Sequence, residues 1–273
     1  MQEWLKIIRQ LLIDERNGLV ESQRQQLLAL NNYVVAELIR IEQTTFTLRD
    51  FNARTKALRS EILKRLNDIL ENENEDIAAV LLAVFPIVFG GHITALLAGT
   101  ALSISIPTTE QLQNDYRSDA LGHHYKRALN RLRRLYLKRY DQDIVKLKRR
   151  FIVDSEDVYD ILRLRDKAHR EMMDRFHIIN DQELHRVYES AKYESAKYLR
   201  ENGVMTIKTW QTRKDNKVRN NREVASHVAM QGVTIESDKK FDLVPNGQTH
   251  YPTGSGIAAQ DCNCRCEAQY KII

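Results

Sequence analysis

Asp261-Cys262-Asn263-Cys264-Arg265-Cys266 closes the C-terminal quarter of the chain and contains all three of its cysteines. Working back from this knot, Pro252, Phe241, Gly232, His227, Arg219, Asp215 and Trp210 follow at irregular spacing. No periodic helix or strand requires that mixture of residue types. The approach to the knot holds the turn formers Pro245, Gly247, Gly254 and Gly256. Short β-prone pieces at 204–212, 232–235, 241–244 and 266–273 are separated by polar turns. They predict a small mixed α/β module over 204–273, with one short helix at 221–230.

The preceding 203 residues read as helix. Apolar positions recur at helical spacing over 4–12, 19–41 and 48–70, where Leu58, Ile62, Leu66 and Ile69 share a face. The acidic stretch 71–76 is expected to end that section. Residues 77–109 then contain no Asp, Glu, Lys or Arg. Such a run is long enough for a bilayer, which needs about 20 apolar residues. Pro86, Gly90-Gly91 and His92 divide it, and the expectation is a buried helical hairpin over 77–106. Thr108 and Gln111 form a capping-box pair that opens a second helical region, 107–203. Within it Asp154 to Asp157 are expected to cap one helix, and Asn180-Asp181 to start the last. Glu201-Asn202-Gly203 supplies a C-terminal stop. The fold class is therefore α+β: a large all-helical N-terminal part and a small mixed α/β C-terminal module.

Forty-two Lys and Arg against 37 Asp and Glu give a net +5, too little to imply a nucleic-acid partner by itself. The charge is concentrated. Residues 126–150 hold eleven bases and two acids, Asp141 and Asp143. Leu129, Leu132, Tyr136, Ile144 and Leu147 are interleaved at helical spacing. Lys126, Arg127, Arg131, Arg133, Arg134, Lys138 and Arg139 are candidates to contact phosphates or an acidic partner, against the plainer reading of a solvated helix face. The opening residues predict an amphipathic helix rather than a secretory signal, and three clustered cysteines make a poor disulfide framework. Both point to synthesis in a reducing cytoplasm.

His227, Cys264 and Cys266 have the ligand types of a structural zinc site. Spacing argues for buried thiols instead. Alternate side chains of a strand lie about 6.6 Å apart, whereas two thiolates on one zinc sit about 3.7 Å apart. The two cysteines converge only if the chain bends sharply between them. A Cys–His nucleophilic pair lacks a glycine elbow, so no catalytic residue is assigned and the chain reads as a non-enzyme. The plain alternative is a polar core, with Arg219 or Arg265 paired to Asp215, Trp210 beneath and His227 hydrogen-bonded inside.

The set Trp210, Asp215, Arg219, His227, Gly232, Phe241, Pro252 and Asn263-Cys264-Arg265-Cys266 resembles the C-terminal module of the phage Mu F-like minor head proteins. These belong to the head-morphogenesis family of tailed phages. The segment with Arg186 and Glu189 is similar to the one preceding that module. The gap from Arg219 to His227 is longer than the family's, so Arg222 or an insertion enters the comparison, and Cys262 is extra. The resemblance implies a virion component inside the capsid near the portal, made in the host cytoplasm. It would contact the portal protein and, non-specifically, packaged double-stranded DNA, in head assembly or genome ejection. It also implies a transient membrane contact by 77–109 if the protein leaves with the genome. The alternatives are a membrane-active ejection protein, or a zinc-stabilised adaptor module on a non-enzymatic interaction protein.

Overall fold

A computed structural model describes residues 2–45, 47–117, 123–150 and 158–273. The chain is α+β, and among the described residues five helices precede the C-terminal sheet region: α1 (Gln2–Thr44), α2 (Leu48–Leu97), α3 (Thr109–Arg117), α4 (His123–Arg150) and α5 (Val158–Glu201). Then come β1 (Thr206–Gln211), β2 (Asn220–Asn221), β3 (Ala225–Ser226), β4 (Thr234–Glu236), β5 (Phe241–Asp242), β6 (Gln248–Thr249), the one-turn α6 (Ala258–Asp261) and β7 (Glu267–Ile272). Two compact units result. One gathers Asp14–Ala78 and Gly122–Ile179; the other gathers Met1–Ile13, Ala79–Leu121 and Asn180–Ile273.

The first unit is a helical bundle built on matched apolar stripes. α1 buries Leu27, Leu30, Val34, Leu38 and Ile41, and α2 buries Phe51, Leu58, Ile62, Leu66 and Ile69. α4 contributes Leu129, Leu132, Tyr136, Tyr140 and Leu147, and α5 contributes Met173 and Phe176. The steps of three and four residues keep each stripe on one helix face. Tyr140 buries its ring and donates its hydroxyl to the Thr55 carbonyl of α2 at 2.8 Å. Fully burying such a ring is worth about 2–3 kcal/mol, and its polar tip needs that acceptor.

In the second unit the expected hairpin over 77–106 is absent. α2 runs unbroken through the acidic stretch 71–76, Pro86 and Gly90-Gly91. Two effects explain the correction. Proline at 86 has no N–H for the Leu82 carbonyl, and the Gln113 side-chain amide of α3 donates to that oxygen instead, at 3.3 Å. The two glycines cost about 1 kcal/mol each in a helix. Leu81, Val84, Phe85, Val88, Phe89 and Ile93 are all buried on one face, and each contributes about 1.5–3 kcal/mol. Packing wins. Ala78–Leu97 has a mean hydropathy of 2.2 and the length of a membrane span, with Ile87 52% exposed on its other side.

Gly99 turns the chain with φ +86°. Residues 102–108 then run without regular secondary structure, held by a 2.8 Å bond from the Tyr198 hydroxyl to the Ser105 carbonyl. The capping box forms as expected: Gln111 Oε1 accepts the Thr108 N–H at 2.9 Å, and Thr108 Oγ accepts the Gln111 N–H at 3.3 Å. α5 does not restart at Asn180-Asp181, because Phe176, Asn180, Glu183 and Val187 continue one buried stripe through that point. The cap expected at 154–157 lies outside the described residues. α5 stops at Gly203, φ +82°, where Val204 N–H reaches Leu199 O and Gly203 N–H reaches Arg200 O, both at 2.9 Å. This pair of bonds satisfies carbonyls the helix end would leave bare.

β1 is the centre of an antiparallel sheet ordered β4-β1-β7. Its Thr206, Lys208 and Trp210 are buried and the alternate residues are not, the period-two pattern of a strand with one covered face. α5 covers the outer edge of β7: Glu189 accepts the Ala268 N–H at 2.8 Å and His185 donates to the Cys266 carbonyl at 2.8 Å. An open strand edge is thereby closed. Lys208 is wholly buried, and its ammonium donates to the Ser237 and His250 carbonyls at 2.8 Å each. Burial pushes its pKa down to about 7.

The expected helix at 221–230 is also absent. Residues Asn220–Ser226 form the β2–β3 hairpin, and only a 3-10 turn, Val228–Met230, follows. Asn221 Oδ1 accepts the Glu223 and Val224 N–H groups at 2.9 and 3.3 Å. A side chain that captures the backbone this way offers a turn in competition with helix.

Candidate metal centre and basic helix

Three parts of the C-terminal fold bring the cluster together. His227 lies between β3 and the 3-10 turn, Cys264 follows α6, and Cys266 leads into β7. Asn263 takes φ +56°, a left-handed conformation that asparagine tolerates. The chain thus turns immediately before Cys264, and Cys264 to Cys266 lie outside any strand, so the strand spacing does not apply to them. His227 Nδ1 lies 3.5 Å from each sulfur. The three ligand atoms all fall within 4.8 Å of one another, and all three residues are buried. Among the described residues no other His, Cys, Asp or Glu joins this group.

The imidazole is oriented from behind. Gln260, 2% exposed, donates its amide to the Val244 carbonyl at 3.0 Å, which leaves its oxygen facing His227 Nε2 at 3.1 Å. The proton therefore sits on Nε2, and the Nδ1 lone pair faces both sulfurs. The thiols differ. A hydrogen bond from Cys264 to Cys266, together with burial, pushes the Cys264 thiol well above the usual cysteine range. That bond, with the nearby Trp210 indole N–H, pulls Cys266 below it. The indole N–H has no nitrogen or oxygen acceptor among the described residues. Trp210 meets His227 edge-on, with ring centres 5.5 Å apart, and packs with Met230, Phe241 and Leu243 around the cysteines.

The rest of the spaced set builds this enclosure. Asp215 pairs with Arg265 at 2.7 Å, and that bond holds its carboxyl below the usual range. Arg219 instead donates to the Gln260 carbonyl at 2.9 Å, while its own carbonyl accepts the His227 N–H at 3.0 Å. The intervening β2–β3 hairpin takes up the long gap between Arg219 and His227, leaving Arg222 exposed. Gly232 has φ +79° and donates its N–H to the Trp210 carbonyl at 2.8 Å, a geometry that disfavours other residues. Pro252 is buried and Cys262 is exposed. Gln260 and the α5 residues Gln182, His185 and Glu189 were not foreseen. Gln182 bonds both Asn263 N–H and the Asp261 carbonyl, pinning the cysteine turn to α5.

The basic candidates on α4 divide. Arg131, Arg134, Lys138 and Arg139 are exposed. Arg133 turns to Asn67 of α2 at 3.1 Å, and Arg139 pairs with Glu171 of α5 at 3.3 Å. The side chains of Lys126 and Arg127 lie outside the described residues.

Compared with protein-family models, curated proteins and solved structures, the chain matches none.

Proposed function

We propose that this chain is a structural minor head protein of a tailed phage. In this reading it acts without catalysis, associates with the portal and packaged DNA, and serves head assembly or genome ejection from the capsid interior. Its C-terminal module is a clasp closed by zinc on His227, Cys264 and Cys266.

The observation that carries this reading is the convergence of Trp210, His227, Phe241, Cys264 and Cys266 of the spaced set on one buried cluster. Each member packs, turns the chain or orients a neighbour. Cys264 and Cys266 are 4% and 3% exposed, which suits a cross-link rather than a nucleophile that a substrate must reach. The two 3.5 Å nitrogen–sulfur distances match the roughly 3.6 Å that tetrahedral zinc bonds of about 2.0 and 2.3 Å imply. Zinc would displace the thiol protons and tie α6, β7 and the 3-10 turn together, so metal binding would add directly to folding stability.

Two measurements on the full chain test the parts separately. Purified under reducing conditions, it should carry one zinc, lost in Cys264→Ser/Cys266→Ser and kept in Cys262→Ser. A metal-free yet stable chain would leave a packed pair of thiols instead. It should also retain the portal protein of the same phage in a pull-down. Failure there removes the head-protein reading, whatever the metal content.

A further inference from the structure

In the helical bundle unit, α4 and the Arg59 turn of α2 border an open groove of about 720 Å³. Arg134, Lys138, Lys146 and Arg149 line it from α4, and among the described residues none of the four forms an ion pair or a side-chain hydrogen bond. Their positions step by four, eight and three residues, so they share one face and span roughly 22 Å of helix at about 1.5 Å per residue. Among the described residues the one acid in the lining, Asp141, is held bidentately by Arg59 at 2.8 and 3.2 Å. It is therefore neutralised as a source of repulsion. Leu137 and Val145 supply its apolar lining, and among the described residues no aromatic side chain lines it.

We infer that this groove seats the phosphate backbone of duplex DNA; the inference rests on the head-protein reading only for the source of that DNA. Duplex DNA carries one charge per about 1.7 Å of axis. A row of four flexible cations over roughly 22 Å therefore finds phosphates in any register and reads no sequence. Single strands are held by stacking bases on aromatic rings, and this groove offers none. An acidic peptide, at about 3.3 Å per residue, would need acids at four matched positions. A duplex offers charge along the whole row. The face differs from the one the sequence alone suggests, because Arg133 and Arg139 are already engaged while Lys146 and Arg149 are free to bind.

The test uses the full chain, a short duplex of arbitrary sequence, a single strand of equal length, and the portal protein. Four phosphate contacts give a slope of log affinity against log salt of about −3.6, a loss of about 150-fold between about 50 and 200 mM salt. The variant Arg134→Gln/Lys138→Gln/Lys146→Gln/Arg149→Gln should lose nearly all of that slope. A matched variant, Lys56→Gln/Lys64→Gln/Arg170→Gln/Arg175→Gln, removes four exposed charges outside the groove and should keep most of it. Circular dichroism should show both folded, since Gln, Lys and Arg have similar helix propensities. Equal effects of the two variants, or tighter binding of the single strand, would overturn the groove assignment. So would a groove variant that keeps DNA but loses the portal, which would make the occupant an acidic protein surface. Groove-dependent duplex binding without portal binding would leave the groove standing and remove the head-protein reading.

Discussion

Acidification should weaken the unit containing His92 by an amount set largely by that one side chain. His92 is 6% exposed on the buried face of α2. Its Nδ1 lies 2.5 Å from Ser195 Oγ, and its ring meets Tyr270 edge-on at 5.2 Å. Burial, aided by the nearby Lys192 ammonium, lowers its pKa from 6.5 to about 3. The unfolded chain therefore takes up this proton first, and stability falls as pH drops from about 6.5 towards 3. At 1.36 kcal/mol per pH unit the loss is about 2 kcal/mol at pH 5 and about 3 kcal/mol at pH 4. Urea unfolding followed by tryptophan fluorescence at neutral pH and near pH 5 measures it. The comparison is His92→Asn, which keeps a polar partner for Ser195 but cannot titrate. This variant should start less stable, through loss of the ring packing, and then change about 2 kcal/mol less than the parent across that interval. Parallel losses in the two proteins would show that other groups carry the acid sensitivity and that His92 is not held neutral by burial.

The rescue of Leu82 by Gln113 predicts a coupling: Gln113→Ala should cost about 1 kcal/mol with proline at 86 and close to nothing in Pro86→Ala, where the restored N–H serves that carbonyl. A double-mutant cycle on urea midpoints reads it. Tyr140→Phe should cost about 1 kcal/mol, one neutral hydrogen bond, because the Thr55 carbonyl keeps its place in the helix ladder. Thermal melts compared with Tyr140→Leu separate the hydroxyl from the ring.

Local chemistry could be read from sequence wherever it was self-contained. The Thr108–Gln111 capping box, the Gly203 stop and the sheet pieces around β1 and β7 each rest on residues a few positions apart. What misled was local chemistry that distant residues override. Pro86 reads as a break only until Gln113, from another helix, takes the freed carbonyl. Asn180-Asp181 reads as a helix start only until the buried stripe from Phe176 to Val187 is seen to run through it. At the cluster, the ligand types were visible in His227, Cys264 and Cys266. Their convergence was not, because it depends on the irregular path of the chain from Asn263 to Cys266 between α6 and β7. Gln260 gave no signal: a glutamine that sets a histidine tautomer looks like any other polar residue. The same holds for Arg59, which faces α4 from 75 or more positions away.

Neither compact unit is a continuous piece of chain, and this orders events during synthesis. About 80 residues separate Leu97 from Asn180, where the segment that completes its unit begins. At 5–20 residues per second that is on the order of 4–16 s, and the sheet takes longer still. Throughout that interval Leu81, Phe85, Val88 and Phe89 are on a helix whose later-made partners do not yet exist. A nascent chain at this stage presents the ribosome exit with a stretch that a bilayer or a chaperone would accept. Elongation speed between residues 97 and 180 is then a determinant of yield, and slow codons in that interval lengthen the exposure.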